Sequence, residues 1–122
     1  MFKRTLIITL LAISTAALAA EPKVDTAKLI GVLKSPEAPL KAKSDACREL
    51  AITGDPKAIP VLADLLSDAK LSHMARYALE PMEDESAGAA LRDAMGNLKG
   101  QLQVGVINSI GARRDKKAVD AL

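Results

Sequence analysis

Aromatic, thiol and imidazole chemistry is almost missing from this chain. Its 122 residues include one Cys, one His, one Tyr, one Phe and no Trp. A single cysteine excludes an intramolecular disulfide framework and a Cys-rich zinc site. A single histidine removes the His-based catalytic pair and the multi-histidine metal site. Aromatics at 2% leave no stacking platform for single-stranded nucleic acid. Charge of one sign is scarce too. A formal +2 falls short of the strongly basic face that a nucleic-acid partner requires, and the length allows one domain.

What is present begins with an export address. Lys3 and Arg4 form a basic start, LIITLL over 6–11 an apolar core, and Ala17-Leu18-Ala19 an A-x-A exit. That order is the secretory signal pattern. Cleavage is expected after Ala19, with Ala20 as the alternative. A membrane anchor needs about 17–25 apolar residues, and this run is shorter and rich in Ser, Thr and Ala. No Cys follows the apolar core, so a lipid anchor is not expected. The chain should therefore be exported, periplasmic or secreted, with no membrane attachment after cleavage. Residues 1–19 are read as signal, 20–24 as a short linker and 25–122 as the folded domain.

Without the signal, the 15 acidic residues are balanced by the remaining basic ones, and Tyr77 is the only aromatic residue. The apolar material is mostly Ala and Leu. Such residues suit closely packed helices and make poor sheet, where β-branched and aromatic side chains dominate.

A repeat organises that material. Asp55, Asp84 and Asp115 are each followed by Ala three residues later and Leu seven later, at spacings of 29 and 31 residues. Before each Asp, positions −13, −9 and −5 hold Ala42, Ala46 and Leu50, then Leu71, Ala75 and Leu79, then Leu102, Val106 and Ile110. These i, i+4 steps trace one apolar helix face. Positions +3, +7, +10 and +11 trace another, with Ala58, Leu62, Leu65 and Leu66, then Ala87, Leu91, Ala94 and Met95. Each Asp is placed to cap a helix start, and Pro56 suits a first helical position. Gly54 can end the preceding helix in a left-handed conformation. The spacing predicts helices over 25–34, 39–53, 56–67, 70–80, 85–97 and 100–112, with another starting at 115. A lone helix pair cannot cover its own apolar face, so neighbouring pairs must stack.

The stretches LAITGDPKAIPVLADLL (50–66), ARYALEPMEDESAGAALRDAM (75–95) and GVINSIGARRDKKAVDAL (105–122) resemble HEAT repeats, in the short variety of the phycobilin-lyase-type HEAT proteins. The resemblance covers roughly 25–122. It implies an all-α fold, an α-solenoid of about three antiparallel helix pairs whose second helices line a concave recognition surface. Two departures stand out. Gly88 takes the apolar position of Ile59 and Val119, and the last unit stops at Leu122, before its +10 and +11 residues. An exposed apolar end around Ile107, Ile110, Val119 and Leu122 is therefore expected. Further repeats beyond this chain, a partner or self-association through that face, or a frayed tail would each account for it.

No nucleophile, base or metal constellation has the required spacing. Serines lack the G-x-S-x-G elbow, and Gly96–Gln101 lacks the P-loop order. Glu83-Asp84-Glu85 is better explained as a helix start, where the dipole favours acids, than as a calcium site. Cys47 reads as a small buried hydrophobe and His73 as solvent-facing. No catalysis, cofactor or metal is expected.

The positions that the core does not claim are the informative ones. Arg48, Tyr77 and Asn108 lie seven before each Asp, with Arg76 beside them. Arg and Tyr are enriched at binding hot spots, although an ordinary surface role fits them equally. With Ile110 and Leu122 of the open end, they are the candidate protein-binding residues. The acidic loop Glu80, Glu83, Asp84, Glu85 and the basic loop Arg113, Arg114, Lys116, Lys117 fall at equivalent places and should neutralise one another. The leading expectation is an exported protein-binding or scaffolding module. The N-terminal part of a longer HEAT protein and a lyase-type enzyme subunit are the alternatives.

Overall fold

The computed structural model describes residues 23–121, so the signal expected at 1–19 and Leu122 lie outside the described residues. Among these the α-helices are α1 (Thr26–Lys34), α2 (Leu40–Thr53), α3 (Ile59–Leu65), α4 (Ser72–Leu79), α5 (Glu85–Asn97) and α6 (Gly100–Ala112). Short 3-10 segments span Pro56–Ala58 and Lys116–Ala121. No strand occurs among the described residues, and the fold there is all-α.

Local chemistry explains where the helices begin. Asp25 accepts the Lys28 N–H at 3.3 Å, and Asp55 accepts that of Lys57 at 3.0 Å. Asp84 accepts from Ser86 N at 2.8 Å, and Asp115 from Lys117 N at 3.0 Å. Each carboxylate satisfies a donor with no intrahelical partner and sits at the positive end of the dipole. Asp68 does the same before α4, accepting Lys70 N at 2.8 Å and Leu71 N at 3.1 Å. That turn starts α4 at Ser72, two residues later than the periodicity predicts. Pro60 lies in the first turn of α3, where its missing N–H leaves no bond unmade.

Two helix ends, those of α2 and α6, use left-handed residues. Gly54 has φ +61° and closes α2 by donating to Leu50 O at 3.0 Å. Arg114 holds the same offset after α6 and the same conformation, with φ +53°. Asp115 N donates to Ile110 O at 3.3 Å and Arg114 N to Gly111 O at 3.0 Å, the paired bonds of a Schellman stop. Here a residue with a Cβ occupies a place that favours glycine.

The repeat positions form the core. At −5, Leu50, Leu79 and Ile110 are all buried, and at −9 so are Ala46, Ala75 and Val106. Ala58, Ala87 and Ala118 at +3 are fully buried, as are Leu62 and Leu91 at +7. Consecutive helices pack as pairs, α1 on α2, α3 on α4 and α5 on α6. Alternate helices also meet, α1 with α3 and α3 with α5 on one side, α2 with α4 and α4 with α6 on the other. The result is two helical layers with the core between them. Ala at the close approaches allows short interhelical distances without voids.

The expected apolar end is only partly realised. Ile110 is 1% exposed, and Ile107 is half-buried against the core. Only Val119, 67% exposed, matches the expectation among the described residues. Ile110 shares the inward register of Leu50 and Leu79, and the turn after α6 carries Ala118 back into the core. The last segment is 3-10 rather than α-helical, consistent with the high cost of nucleating a short helix.

Gly88 is the other departure, and neighbouring side chains explain it. A Cβ there would lie 3.2 Å from Arg92 Nη1 and from Asp115 Oδ2. The space that Ile59 fills in the preceding pair is taken here by an ion pair.

Candidate functional site

The exposed face of the even-numbered helices α2, α4 and α6 carries the predicted recognition residues, and the structure separates them into three groups. Arg48, Tyr77 and Asn108 are exposed at equivalent places on successive helices. Arg76 turns sideways into the α4–α6 seam. Ile110 belongs to the core and is unavailable to a partner, while Leu122 lies outside the described residues.

Tyr77 is the centre of the first group. It is 54% exposed and borders a groove of about 500 Å³ with Ala51 of α2, Glu80 and Pro81 after α4, and Ala112 of α6. The residues that border the groove on the flanking helices, Ala51 and Ala112, are both small. Arg48 lies one turn before Ala51 and pairs with Asp45 at 3.1 Å, while Lys41 reaches the same carboxylate at 2.6 Å. Lys41, then Arg48, holds the Asp45 carboxyl below its usual range. These pairs are solvent-exposed and contribute little to stability.

Arg76 is a seam residue. Its Nη1 donates to Gly105 O at 3.1 Å and approaches Ser109 Oγ at 3.5 Å. Ser109, fully buried, donates to Glu80 Oε1 at 2.6 Å. The guanidinium lies flat on α6, where a Cβ at Gly105 would come within 2.8 Å of Cζ. Arg113 completes the seam, its Nη1 donating to Leu79 O at 3.0 Å, Glu80 O at 3.1 Å and Met82 O. Those carbonyls lie at and just past the end of α4, where Leu79 O also accepts from Met82 N at 3.2 Å, so a cation there meets the negative end of the dipole.

The acidic and basic loops meet, though by a different route from simple loop-to-loop pairing. Lys117 Nζ reaches Glu85 Oε1 at 2.9 Å, and Arg92 bridges Glu85 at 2.8 Å and Asp115. Lys117, then Arg92, holds the Glu85 carboxyl below its usual range. Arg92 lies within the α5 helix and is the member that loop composition does not reveal.

Cys47 is fully buried, and burial pushes its thiol up to about 11, so little nucleophilic thiolate forms near neutral pH. The opposite face has a groove of about 490 Å³ between α3 and α5, floored by Ile59, Leu66, Ala90 and Ala94 and flanked by Asp64 and Asp93. Among the described residues no cluster of three His, Cys, Asp or Glu side chains is placed to hold a metal ion. No helix there is long and apolar enough to cross a membrane.

The site thus defines an all-α chain with an aromatic-centred groove on one helical layer. No family model, curated protein or solved structure matches the chain.

Proposed function

We propose that this chain is an exported, HEAT-like α-solenoid module that binds a protein segment on the face of α2, α4 and α6. The observation that carries the reading is Tyr77. It is the only aromatic residue of the folded region, yet it is 54% exposed in a groove between three helices rather than buried in the core. An open aromatic among small residues is the usual anchor of a protein interface. The repeat reading draws support from the recurrence of buried positions at one offset and from the contacts between alternate helices.

The test places a photo-crosslinking amino acid at position 77, and separately at Asp93 on the opposite layer, in the producing cell. A discrete adduct from position 77 and none from position 93 is expected. Equal labelling at both, or none at 77, removes this face as the binding surface. Export is tested separately by the mass of the protein outside the cytoplasm, which should lack residues 1–19.

A further inference from the structure

The Tyr77 groove is one-sided in charge. Its wall is Ala51, Tyr77, Glu80, Pro81 and Ala112, which includes a carboxylate and no cation. A second hollow of about 320 Å³ adjoins it, sharing Glu80 and Pro81 and adding Met82, Glu83 and Arg113. Neither Glu80 nor Glu83 belongs to an ion pair among the described residues. Glu80 accepts from Ser109 Oγ through Oε1, and its Oε2 enters no hydrogen bond among the described residues. Arg113, the one basic residue in either wall, is committed elsewhere. Its Nη1 donates to the carbonyls of Leu79, Glu80 and Met82, and its Nη2 reaches toward Gly88 of α5.

The backbone adds charge of the same sign. Helix α2 ends at Thr53, α4 at Leu79 and α6 at Ala112, so Ala51, Glu80 and Ala112 place the groove at three helix C-termini. These are the negative ends of the helix dipoles. Arg113 answers that of α4, whereas α2 has no basic residue in its last turn. Arg114, which follows α6, lines neither hollow.

We infer that the segment bound on this face presents a lysine or arginine side chain to the groove, its charged head over the Tyr77 ring and beside Glu80. The inference rests on the reading of this face as a protein-binding surface and names the chemistry of its partner. A cation is drawn to the negative face of an aromatic ring. The long stem of a basic side chain packs on apolar surface, here Ala51, Pro81 and Ala112, while its head keeps polar company. An acidic side chain would meet Glu80, Glu83 and the helix ends with like charge. An apolar one would cover Glu80 without giving its free oxygen a donor.

The test uses Tyr77 itself, since its ring protons are the only tyrosine signals of the chain. Capped alanine tripeptides with Arg, Lys, Leu or Glu at the centre are titrated into the purified protein and followed by NMR. Saturable shifts of the Tyr77 ring with the Arg and Lys peptides are expected, and none with the Leu and Glu peptides. Glu80→Gln keeps an acceptor for Ser109 and removes the charge, and should raise Kd about three- to fivefold. Glu83→Lys changes an exposed residue and should weaken binding in the same direction, which covers the case in which Glu80→Gln unsettles the seam. No saturation by the Arg and Lys peptides, or equal saturation by the Leu or Glu peptide, would overturn the basic anchor. With either of those results, a crosslinked adduct at position 77 keeps the face as a binding surface, and its absence removes both readings.

Discussion

Helix α4 is flanked by two neighbours, and the contacts on its two sides are made of different material. Toward α2 the core residues are Ala46, Cys47 and Leu50 on one helix and Ala75, Ala78 and Leu79 on the other, with no charged group among them. Toward α6 the apolar contribution of Val106 and Ile110 is joined by Arg76, Glu80, Ser109 and Arg113, tied across the seam by hydrogen bonds. The backbones also approach more closely on the α2 side than on the α6 side. The difference shows that small apolar side chains close the tighter helix contact, whereas guanidinium groups fill the wider one where a glycine leaves room for them. Gly105 under Arg76 and Gly88 beside Arg92 are those places. Hydrocarbon burial is non-directional, whereas the polar seam holds only in the register that satisfies its donors.

The comparison can be broken most sharply on its apolar side. Leu50→Ala should cost about 2–5 kcal/mol, measured by urea unfolding, because a fully buried leucine leaves a cavity. On the polar side, Arg113→Ala should cost about 1–3 kcal/mol by the same measurement, since the carbonyls of Leu79, Glu80 and Met82 lose a charged donor and only Leu79 O keeps a backbone one. Arg113→Lys should recover only part of that loss, because a point charge cannot replace the planar fork. Equal losses for Leu50→Ala and a conservative exposed change such as Val104→Ala would refute the apolar account.

Smaller changes sharpen it. Arg114→Gly should raise stability by up to about 1 kcal/mol by relieving the left-handed backbone after α6. A melting temperature that falls would show that the Arg114 side chain matters more than its backbone. Gly105→Ala should shift stability by less than about 1 kcal/mol, as the gain in helix propensity offsets displacement of Arg76. Its signature is spectroscopic: the Arg76 Nε–H resonance should move while α2 resonances stay in place.

The weakest effect is on acid stability. Glu85 has a carboxyl held below its ordinary value of 4.5 in the folded chain. A depressed folded value means that the ionised form is favoured by folding, so its contribution is present above 4.5. The contribution disappears as pH falls through the lower folded value. Glu85→Gln should therefore narrow the fall in melting temperature between neutral and acid pH, and added salt should narrow it in the parent protein. An unchanged acid profile in Glu85→Gln would assign the acid sensitivity to other carboxylates.

Much of the architecture is legible from residue spacing. The helices at 85–97 and 100–112 are found at the expected bounds, because an acidic cap begins one and a Gly-bearing turn separates them. The buried residues Leu50, Leu79 and Ile110 are identifiable because the same offset recurs before each Asp. The site was less legible. Tyr77 and Asn108 lie where helical spacing places them, while Arg76, about 100° around the helix from Tyr77, turns into the seam. Nothing in the local sequence of α4 says that a glycine 29 residues later will receive it. Ile110 was expected both in the core register and at an open end, and the return of Ala118 to the core decided for burial.

Local chemistry, then, determined the parts of this protein that depend on near neighbours: capping carboxylates, the Gly54 stop, and which side of each helix is apolar. Those are set by contacts within one or two turns, and residue order alone specifies them. Tertiary structure decided the seam and the open groove at Tyr77. Each depends on side chains from separate helices meeting, as Arg113 does with Leu79 across 34 residues. Whether a charged group there ends in solvent, in an ion pair or against a backbone carbonyl depends on the space its neighbours leave, and packing sets that space.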